Sequence, residues 1–248
     1  MKNKKSLGQH WLKDRTILDE IAGLAVVKEV DTCLEIGPGL GTLTSALLRR
    51  FAKVIAVEYD QDLAAKLPAS FPGKNLTVIN QDILQFDFSK LPEDYVVAGN
   101  IPYYITSPII TKLLSANPAP KRIVLLIQKE VAERILALSG QHSLLSLTTE
   151  NRAKVEPGFF VSKAFFTPPP KVDSVTLVLT PRKAPLVPDY ALELASRGFQ
   201  NPRKKLVKNL PYPKEQVLAA FNKLGIPEHV RPANLSLKDW KGLADFLK

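Results

Sequence analysis

Cysteine and histidine are both scarce in this chain. Cys33 is the only cysteine among 248 residues, and the histidines are limited to His10, His142 and His229. A single thiol excludes an internal disulfide, and histidines so far apart offer no metal-ligand spacing. Because Cys33 lies in an apolar run, we interpret it as a small core residue. The sequence therefore predicts no metal site.

Long apolar runs are absent as well. The first residues, MKNKKSLGQHWLKD, are basic but lack the apolar segment of a secretory signal. No stretch approaches the ~18 uninterrupted apolar residues of a membrane-spanning helix. We therefore expect a cytoplasmic protein.

Positive charge, by contrast, is in excess. The chain has 34 Lys and Arg residues against 24 Asp and Glu residues, which gives a formal net charge of +10. Such an excess points to a polyanionic partner, although on charge alone simple solubility explains it equally well.

From residue 14 to about 180, short apolar runs alternate with amphipathic stretches, which is typical of a doubly wound, Rossmann-like α/β sheet. The predicted strands are 31–36, 53–58, 76–80, 94–99, 122–128 and 174–180, and a stretch near 152–157 can pair with the last of them as an antiparallel hairpin. The predicted helices are 14–26, 42–51, 60–67, 106–115, 129–138 and 143–150.

A linker is predicted at 182–189, where the periodicity weakens. It separates a catalytic domain, residues 1–183, from a small all-helical domain, residues 184–248. Helical patterns in the second domain cover 189–199, 203–209, 213–224 and 236–247.

Three closely spaced glycines follow the first predicted strand. Gly37, Gly39 and Gly41 form a GxGxG pattern at a strand-to-helix turn, where glycine lets a ligand approach the backbone closely. The dinucleotide fingerprint is GxGxxG, so this spacing argues against a nicotinamide cofactor. It is the form that we expect for S-adenosylmethionine, which has no pyrophosphate.

Acidic residues follow the next two predicted strands. Glu58 ends strand 53–58, where it can accept hydrogen bonds from both ribose hydroxyls of a cofactor. Asp82 follows strand 76–80 and can accept a hydrogen bond from the adenine amine of the cofactor, while Ile83 packs on the ring. Either acid alone is more simply a solvated strand end. Together they predict a cofactor site, because open α/β sheets bind ligands at these carboxyl ends.

The fourth predicted strand runs into Asn100-Ile101-Pro102-Tyr103. The side-chain oxygen of Asn100 and the backbone carbonyl of Ile101 can each accept one hydrogen bond from an adenine N6 amine. These bonds draw the nitrogen toward tetrahedral geometry and free its lone pair to attack a methyl group. Pro102 fixes the turn, and Tyr103 can stack on a flipped base. The motif therefore predicts amino-group methylation that depends mainly on orientation.

A second aromatic feature precedes a proline-rich segment, Thr167-PPPKVDS. Phe165 and Phe166 lie directly before it, and we interpret Phe166 as the second face of a clamp on the base. Ordinary core packing is the alternative.

These motifs resemble those of the KsgA-type small-subunit rRNA dimethyladenosine transferases, relatives of the Erm macrolide-resistance methylases. The similar segments are GQHWL at 8–12, LEIGPGLGTLT at 34–44, VEYD at 57–60, NQDIL at 80–84, NIPYYITSPII at 100–110, FTPPPKVDSV at 166–175 and RPANLSLKDW at 231–240. The resemblance covers nearly the whole chain. It implies a class I methyltransferase sheet and dimethylation of two neighbouring adenines near the 3′ end of 16S rRNA during 30S ribosome assembly.

The resemblance also implies contacts with the cofactor, S-adenosylmethionine. The residues concerned are His10, Leu12, Gly37, Gly39, Glu58, Asp82, Ile83 and Asn100. The usual family pattern near the start is Gln-Asn-Phe-Leu, whereas this chain has Gln9-His10-Trp11-Leu12. An imidazole makes one hydrogen bond where an amide both donates and accepts. A contact of His10 through its side chain or its backbone therefore stays open.

Basic residues cluster in two places. Residues 197–208 contain five basic side chains and no acid, and the N-terminal segment is basic too. A basic run is usually a solvated helix face, but a nucleic-acid substrate favours phosphate contacts. The candidate RNA-binding residues are Lys4, Lys5, Arg203, Lys204, Lys205 and Lys208. The expected partner is small-subunit rRNA within an immature 30S particle, bound by a monomer.

Several other functions remain compatible with parts of the pattern. An Erm-like enzyme of large-subunit rRNA and a DNA adenine methylase use the same chemistry. A catalytically silent RNA-binding assembly factor or transcription cofactor can share the fold. The intact Asn100 motif argues against the silent protein, and RPANLSLKDW favours the small-subunit class.

Overall fold

The computed structural model describes residues 9–248. The strands are β1 (Trp11–Leu12), β2 (Thr32–Ile36), β3 (Lys53–Glu58), β4 (Leu76–Asn80), β5 (Val96–Asn100), β6 (Arg122–Gln128), β7 (Ala153–Val161), β8 (Phe166–Thr167) and β9 (Ser174–Pro181). The α-helices are α1 (Arg15–Ala25), α2 (Thr42–Leu47), α3 (Gln61–Lys66), α4 (Thr106–Leu114), α5 (Lys129–Ile135), α6 (Leu144–Arg152), α7 (Asp189–Gly198), α8 (Lys214–Leu224) and α9 (Leu237–Leu247).

Seven strands form one sheet in the order β4-β3-β2-β5-β6-β9-β7. The neighbours from β4 to β6 are parallel, and β9 is antiparallel to β6. The chain builds outward from β2 to β4 and then returns to the other side of β2 with β5. This reversal creates a crevice at the carboxyl ends of β2 and β5, where open α/β sheets bind ligands. The predicted doubly wound α/β fold is confirmed.

The central strands are buried on both faces. Val96–Ala98 of β5 and Ile123–Ile127 of β6 are fully inaccessible to solvent. Strands of this kind read as continuous apolar runs rather than as alternating ones. That property explains why their positions were predicted to within a few residues.

Two short strands form a separate antiparallel pair. In β1 and β8, Trp11 lies opposite Thr167, and Leu12 lies opposite Phe166. Two-residue strands carry no periodicity, so neither was predicted. Their pairing brings the first described residues of the chain to the proline-rich segment that follows β8.

One predicted helix is wrong. Within 203–209 only Leu206–Lys208 form a single 3-10 turn. The backbone N–H of Leu206 donates to the carbonyl of Val230 at 2.8 Å, a tertiary partner in place of a helical one. Tertiary contacts of this kind readily override local helix propensity.

The chain divides into two compact units. The first contains residues up to 132 and 155–181, and the second contains 133–154 and 182–248. The second unit has its own core, in which Phe221, Trp240 and Leu243 are fully buried.

The division differs from the single boundary predicted at 183/184, because α6 belongs to the helical unit. Leu147 of α6 lies in the helical core. Asn151 donates from Nδ2 to the Val187 carbonyl at 3.1 Å and accepts from the Val187 N–H at 2.7 Å. Because one amide side chain bonds to both the N–H and the carbonyl of Val187, it ties α6 to the segment before α7.

Candidate active site

A cavity of about 360 Å³ lies at the carboxyl ends of the parallel strands. Besides Leu18 of α1 and the first two residues of α2, its lining comes from five places: the N-terminal segment, the glycine loop after β2, the end of β3, the turn after β4 and the turn after β5. The size is within the usual range for a small-molecule site, roughly 300–1,000 Å³. The crevice created by the strand order therefore contains a pocket.

The glycine loop forms one wall of the cavity. Gly37, Gly39 and Gly41 have φ values of 64°, 56° and 80°, in the left-handed region that favours glycine. A Cβ atom on Gly39 would also collide with the indole ring of Trp11. Gly39 is therefore required both by its backbone conformation and by the ring packed against it.

Glu58 links the end of β3 to this loop. Its side chain is 7% exposed. Oε2 accepts a hydrogen bond from the Gly39 N–H at 3.0 Å, and Oε1 accepts one from the Asp60 N–H at 2.8 Å. Burial raises the pKa of Glu58, and the two backbone N–H donors oppose that shift. Each oxygen keeps a second lone pair, so the carboxylate can still accept hydrogen bonds from a diol.

The turn after β4 supplies the next group. Oδ1 of Asp82 accepts a hydrogen bond from the Leu84 N–H at 2.9 Å and so caps a 3-10 turn, Ile83–Gln85. The Ile83 side chain is buried, and both Asp82 and Ile83 line the cavity. The cap fixes the carboxylate beside an apolar surface, an arrangement that suits a planar ring with an exocyclic amine.

The turn after β5 contributes Asn100, Ile101, Pro102 and Tyr103 to the same cavity. Nδ2 of Asn100 donates to the backbone carbonyl of His10 at 3.2 Å. The amide's donor group is thus occupied, and its oxygen remains as an acceptor. The structure brings all four predicted residues of this motif together.

Tyr103 is held at two places. Its hydroxyl is hydrogen-bonded to Oγ of the fully buried Ser174, at 2.8 Å. Its ring stacks on the imidazole of His10, with centroids 5.9 Å apart and an angle of 19° between the planes. Burial raises the pKa of Tyr103, and the bond to Ser174 opposes that shift. The ring is therefore a neutral platform with a fixed orientation.

The interpretation of Phe166 as a base clamp does not fit its position. Phe166 is only 3% exposed, lies in the main hydrophobic core and does not line the cavity. Its pairing with Leu12 across β1 and β8 places it in the interior. Phe165, one residue earlier, is 46% exposed. Phe166 is therefore a core residue, as in the alternative of ordinary core packing.

The N-terminal motif lies at the cavity, as the resemblance implies. Leu12 lines it and is almost fully buried. The His10 backbone carbonyl accepts the bond from Asn100. The contacts of the imidazole are with Tyr103 and with the carbonyl of Pro168, which lies 2.7 Å from Nδ1.

Sequence reasoning missed several residues at the site. Trp11 and Tyr59 line the cavity. Nε2 of Gln9 donates to Oδ2 of Asp60 at 3.3 Å, which ties the N-terminal segment to the end of β3. Ser174 holds Tyr103. No spacing rule connects these residues, because they meet only through the tertiary fold.

The candidate RNA-binding residues lie partly outside the described chain. Lys4 and Lys5 precede residue 9. Arg203, Lys204, Lys205 and Lys208 are all exposed, and within residues 9–248 none of these four forms an ion pair. Their charges are thus available to an anionic partner.

Metal ligands and membrane-spanning helices were the two other features to which the sequence analysis applied. Within residues 9–248, side chains that could bind a metal do not come together in groups of three or more. No helix in the described part of the chain has both the length and the apolar character needed to cross a membrane.

Comparison with known proteins places these features in a family. The sequence model of the ribosomal RNA adenine dimethylases matches residues 1–248. A protein named ribosomal RNA small subunit methyltransferase A from Thermosynechococcus vestitus is 40% identical, over 99% of this chain and 97% of that protein. The protein of the same name from Gloeobacter violaceus is 41% identical, over 98% of this chain and 93% of its own length.

Solved structures show the same likeness. The 23S rRNA methyltransferase ErmE has a TM-score of 0.77 and 31% identity, over 96% of this chain and 99% of that one. A dimethyladenosine transferase from Plasmodium falciparum has a TM-score of 0.79 and 32% identity, over 94% of this chain and 96% of that one.

Proposed function

This chain belongs to the ribosomal RNA adenine dimethylase family, and on that premise we propose that its cavity holds S-adenosylmethionine beside an adenine whose amine is presented by the turn after β5. The chain is an enzyme that methylates adenines of small-subunit ribosomal RNA with S-adenosylmethionine as the methyl donor. The proposal concerns which residues perform that reaction and how.

The residues of the cavity fit this cofactor. The Glu58 carboxylate suits the two ribose hydroxyls, and the space beside Gly37 is open, because no atom lies within 4 Å of the place where a Cβ would be. Asp82 suits the adenine amine, with Ile83 against the ring. S-adenosylmethionine, when bound, supplies a methyl group on a positively charged sulfur. Leu12 adds apolar surface from the N-terminal segment.

The turn after β5 acts on the substrate amine. The free oxygen of Asn100 accepts one N–H of the amine, and the Ile101 carbonyl accepts the other. These two bonds concentrate the lone pair on nitrogen and fix its direction. Pro102 restricts the backbone of the turn, and the Tyr103 ring stacks on the base and so fixes its plane. When the nitrogen bonds to the methyl carbon, the carbon–sulfur bond would break and leave S-adenosylhomocysteine, and one proton of the amine would pass to solvent. The chain needs no strong base for this, because the nitrogen becomes acidic only as the new bond forms.

The observation that carries this assignment is the hydrogen bond from Nδ2 of Asn100 to the His10 carbonyl. An asparagine amide has two ends, and only its oxygen can accept an N–H. The His10 carbonyl selects the orientation in which that oxygen is left for the substrate. A free amide has no such preference.

Asn100→Ala tests the assignment. Methyl transfer should fall about 100-fold or more, as when a group that stabilises a transition state is removed, while cofactor affinity falls only modestly. Turnover is measured by transfer of a tritiated methyl group, and cofactor affinity by calorimetry. Asn75→Ala is the matched control, because Asn75 is exposed and precedes the edge strand β4, at the amino ends of the parallel strands. Near-normal turnover in Asn100→Ala would refute amine activation.

The finer identity of the substrate is also part of the proposal. We assign two neighbouring adenines near the 3′ end of the small-subunit rRNA, within an immature 30S particle, to a monomeric enzyme in the cytoplasm. The relatives near 40% identity carry a small-subunit name, whereas ErmE at 31% identity is named for 23S rRNA. Unmethylated small and large subunits are each incubated with enzyme and cofactor, and primer extension locates the modified bases. Stops in large-subunit rRNA alone would overturn this choice.

A further inference from the structure

We infer that His10 is a positioning residue for the substrate base and that its side chain is not a ligand of the cofactor. This inference rests on the proposed role of Asn100 and extends it. It concerns a residue at which this chain differs from the usual pattern of its family.

The three contacts of His10 are with Asn100, Tyr103 and Pro168, and none is with a residue proposed to hold the ribose or adenine of the cofactor. Its backbone carbonyl accepts the hydrogen bond from Asn100, and its ring stacks on Tyr103. Its Nδ1 lies 2.7 Å from the Pro168 carbonyl. A carbonyl can only accept, so Nδ1 carries the proton of this bond. The residues proposed to hold the cofactor, Glu58 and Asp82, have their hydrogen bonds with other partners.

The imidazole completes the support of Tyr103. The hydroxyl bond to Ser174 fixes one end of the tyrosine ring but does not by itself fix the tilt of its face. The His10 ring, nearly parallel at 19°, covers one face and restricts that tilt. The bond to Pro168 holds the imidazole in turn, since the pairing of β1 with β8 brings the two segments together. One residue thus orients both the amine acceptor and the base platform.

Substitution of His10 separates positioning from cofactor binding. His10→Ala keeps the backbone carbonyl but removes the ring, whereas His10→Phe keeps an aromatic face and removes the bond to Pro168. The measurements are cofactor affinity by calorimetry, kcat and KM with unmethylated small subunits, and thermal melting to verify folding. His229→Ala is the control of the same residue type, because His229 is exposed in the helical unit.

The expected result is a change in kcat with little change in the Kd for cofactor. In His10→Ala, kcat should fall about tenfold, as misplacement of a reacting group predicts, while the Kd for cofactor stays within about twofold of the original value. His10→Phe should recover most of kcat, because stacking on Tyr103 is retained. The His229→Ala control should match the original protein.

Other results would overturn the inference. A cofactor Kd raised about tenfold with kcat unchanged at saturation would make His10 a cofactor ligand. Unchanged constants in His10→Ala would show that the His10 ring does not orient Tyr103. No recovery in His10→Phe would overturn the role given to stacking on Tyr103. Asn100→Ala tests amine activation separately, because His10 is intact in that variant. A failure of the proposed function can therefore be told apart from a failure of this inference.

Discussion

At the scale of single residues, Glu35 is the most unusual ionisable group described. It lies in β2, directly beneath the glycine loop, and is fully buried. Burial raises its pKa to about 8, an effect that the nearby Thr44 hydroxyl only partly offsets and that the charge of Glu58 reinforces. At neutral pH the side chain is therefore mainly a protonated carboxylic acid.

The raised pKa of Glu35 predicts a pH dependence of stability. In the unfolded chain the carboxyl ionises near pH 4.5, whereas in the folded chain it keeps its proton until about pH 8. Between these values the folded state holds the extra proton, so this group lowers the free energy of unfolding as pH rises, by up to ~1.4 kcal/mol per pH unit.

Glu35→Gln should remove that contribution, because glutamine does not titrate. Urea unfolding across this pH window, with both proteins side by side, measures it. The difference in free energy of unfolding between the variant and the original should shift in favour of the variant as pH rises. A difference that stays constant would show that Glu35 titrates normally.

At the scale of elements, the strands that were predicted are those whose apolar runs are long enough to be recognised in the sequence. Strands β2, β3 and β6 were predicted to within one residue at each end, because buried parallel strands leave continuous apolar runs. The edge strand β4 was predicted equally well, although none of its residues is buried. Glu58 and Asp82 followed from those strand ends. The pair formed by β1 and β8 could not be predicted, since its register depends on residues more than 150 positions apart. The burial of Phe166 could not be predicted for the same reason.

The contact between the glycine loop and β1 leads to a prediction at this scale. Gly39→Ala should be more destabilising than Gly73→Ala, although both glycines have positive φ values. A left-handed alanine costs roughly 1–2 kcal/mol at either site, but only at residue 39 does the new Cβ collide with Trp11.

The comparison is made by urea unfolding and by calorimetry with the cofactor. Gly39→Ala should also weaken cofactor binding, because relief of the collision moves Trp11 or the loop at the cavity wall. Equal losses of stability with unchanged affinity would show that the indole yields freely. The control is matched, since a Cβ at Gly73 meets no atom within 4 Å.

At the scale of the whole molecule, the net charge of +10 matters for the encounter with RNA. Each phosphate neutralised by a protein cation releases counterions, so affinity falls steeply with salt. The exposed cluster from Arg203 to Lys208 has no ion pairs within the described chain that would compete for it. We therefore propose that it contributes several phosphate contacts.

Arg203→Ala combined with Lys204→Ala should weaken binding of small-subunit rRNA and reduce the salt slope of log affinity by roughly one unit per lost contact. Filter binding over a range of salt concentrations measures this slope. Lys28→Ala combined with Lys74→Ala makes the same change in net charge at exposed positions. An identical slope in the two double variants would exclude the cluster from the interface.

The position of β9 has a consequence for how the molecule is made. Although β9 is the last strand to leave the ribosome, it is inserted between β6 and β7 rather than added at an edge. A nascent chain that ends before residue 174 can assemble the parallel strands but leaves one side of β6 open. It also lacks Ser174, the anchor of Tyr103. The first unit therefore requires the chain through β9, and a product that ends before residue 174 would have the glycine loop without the bond that holds Tyr103.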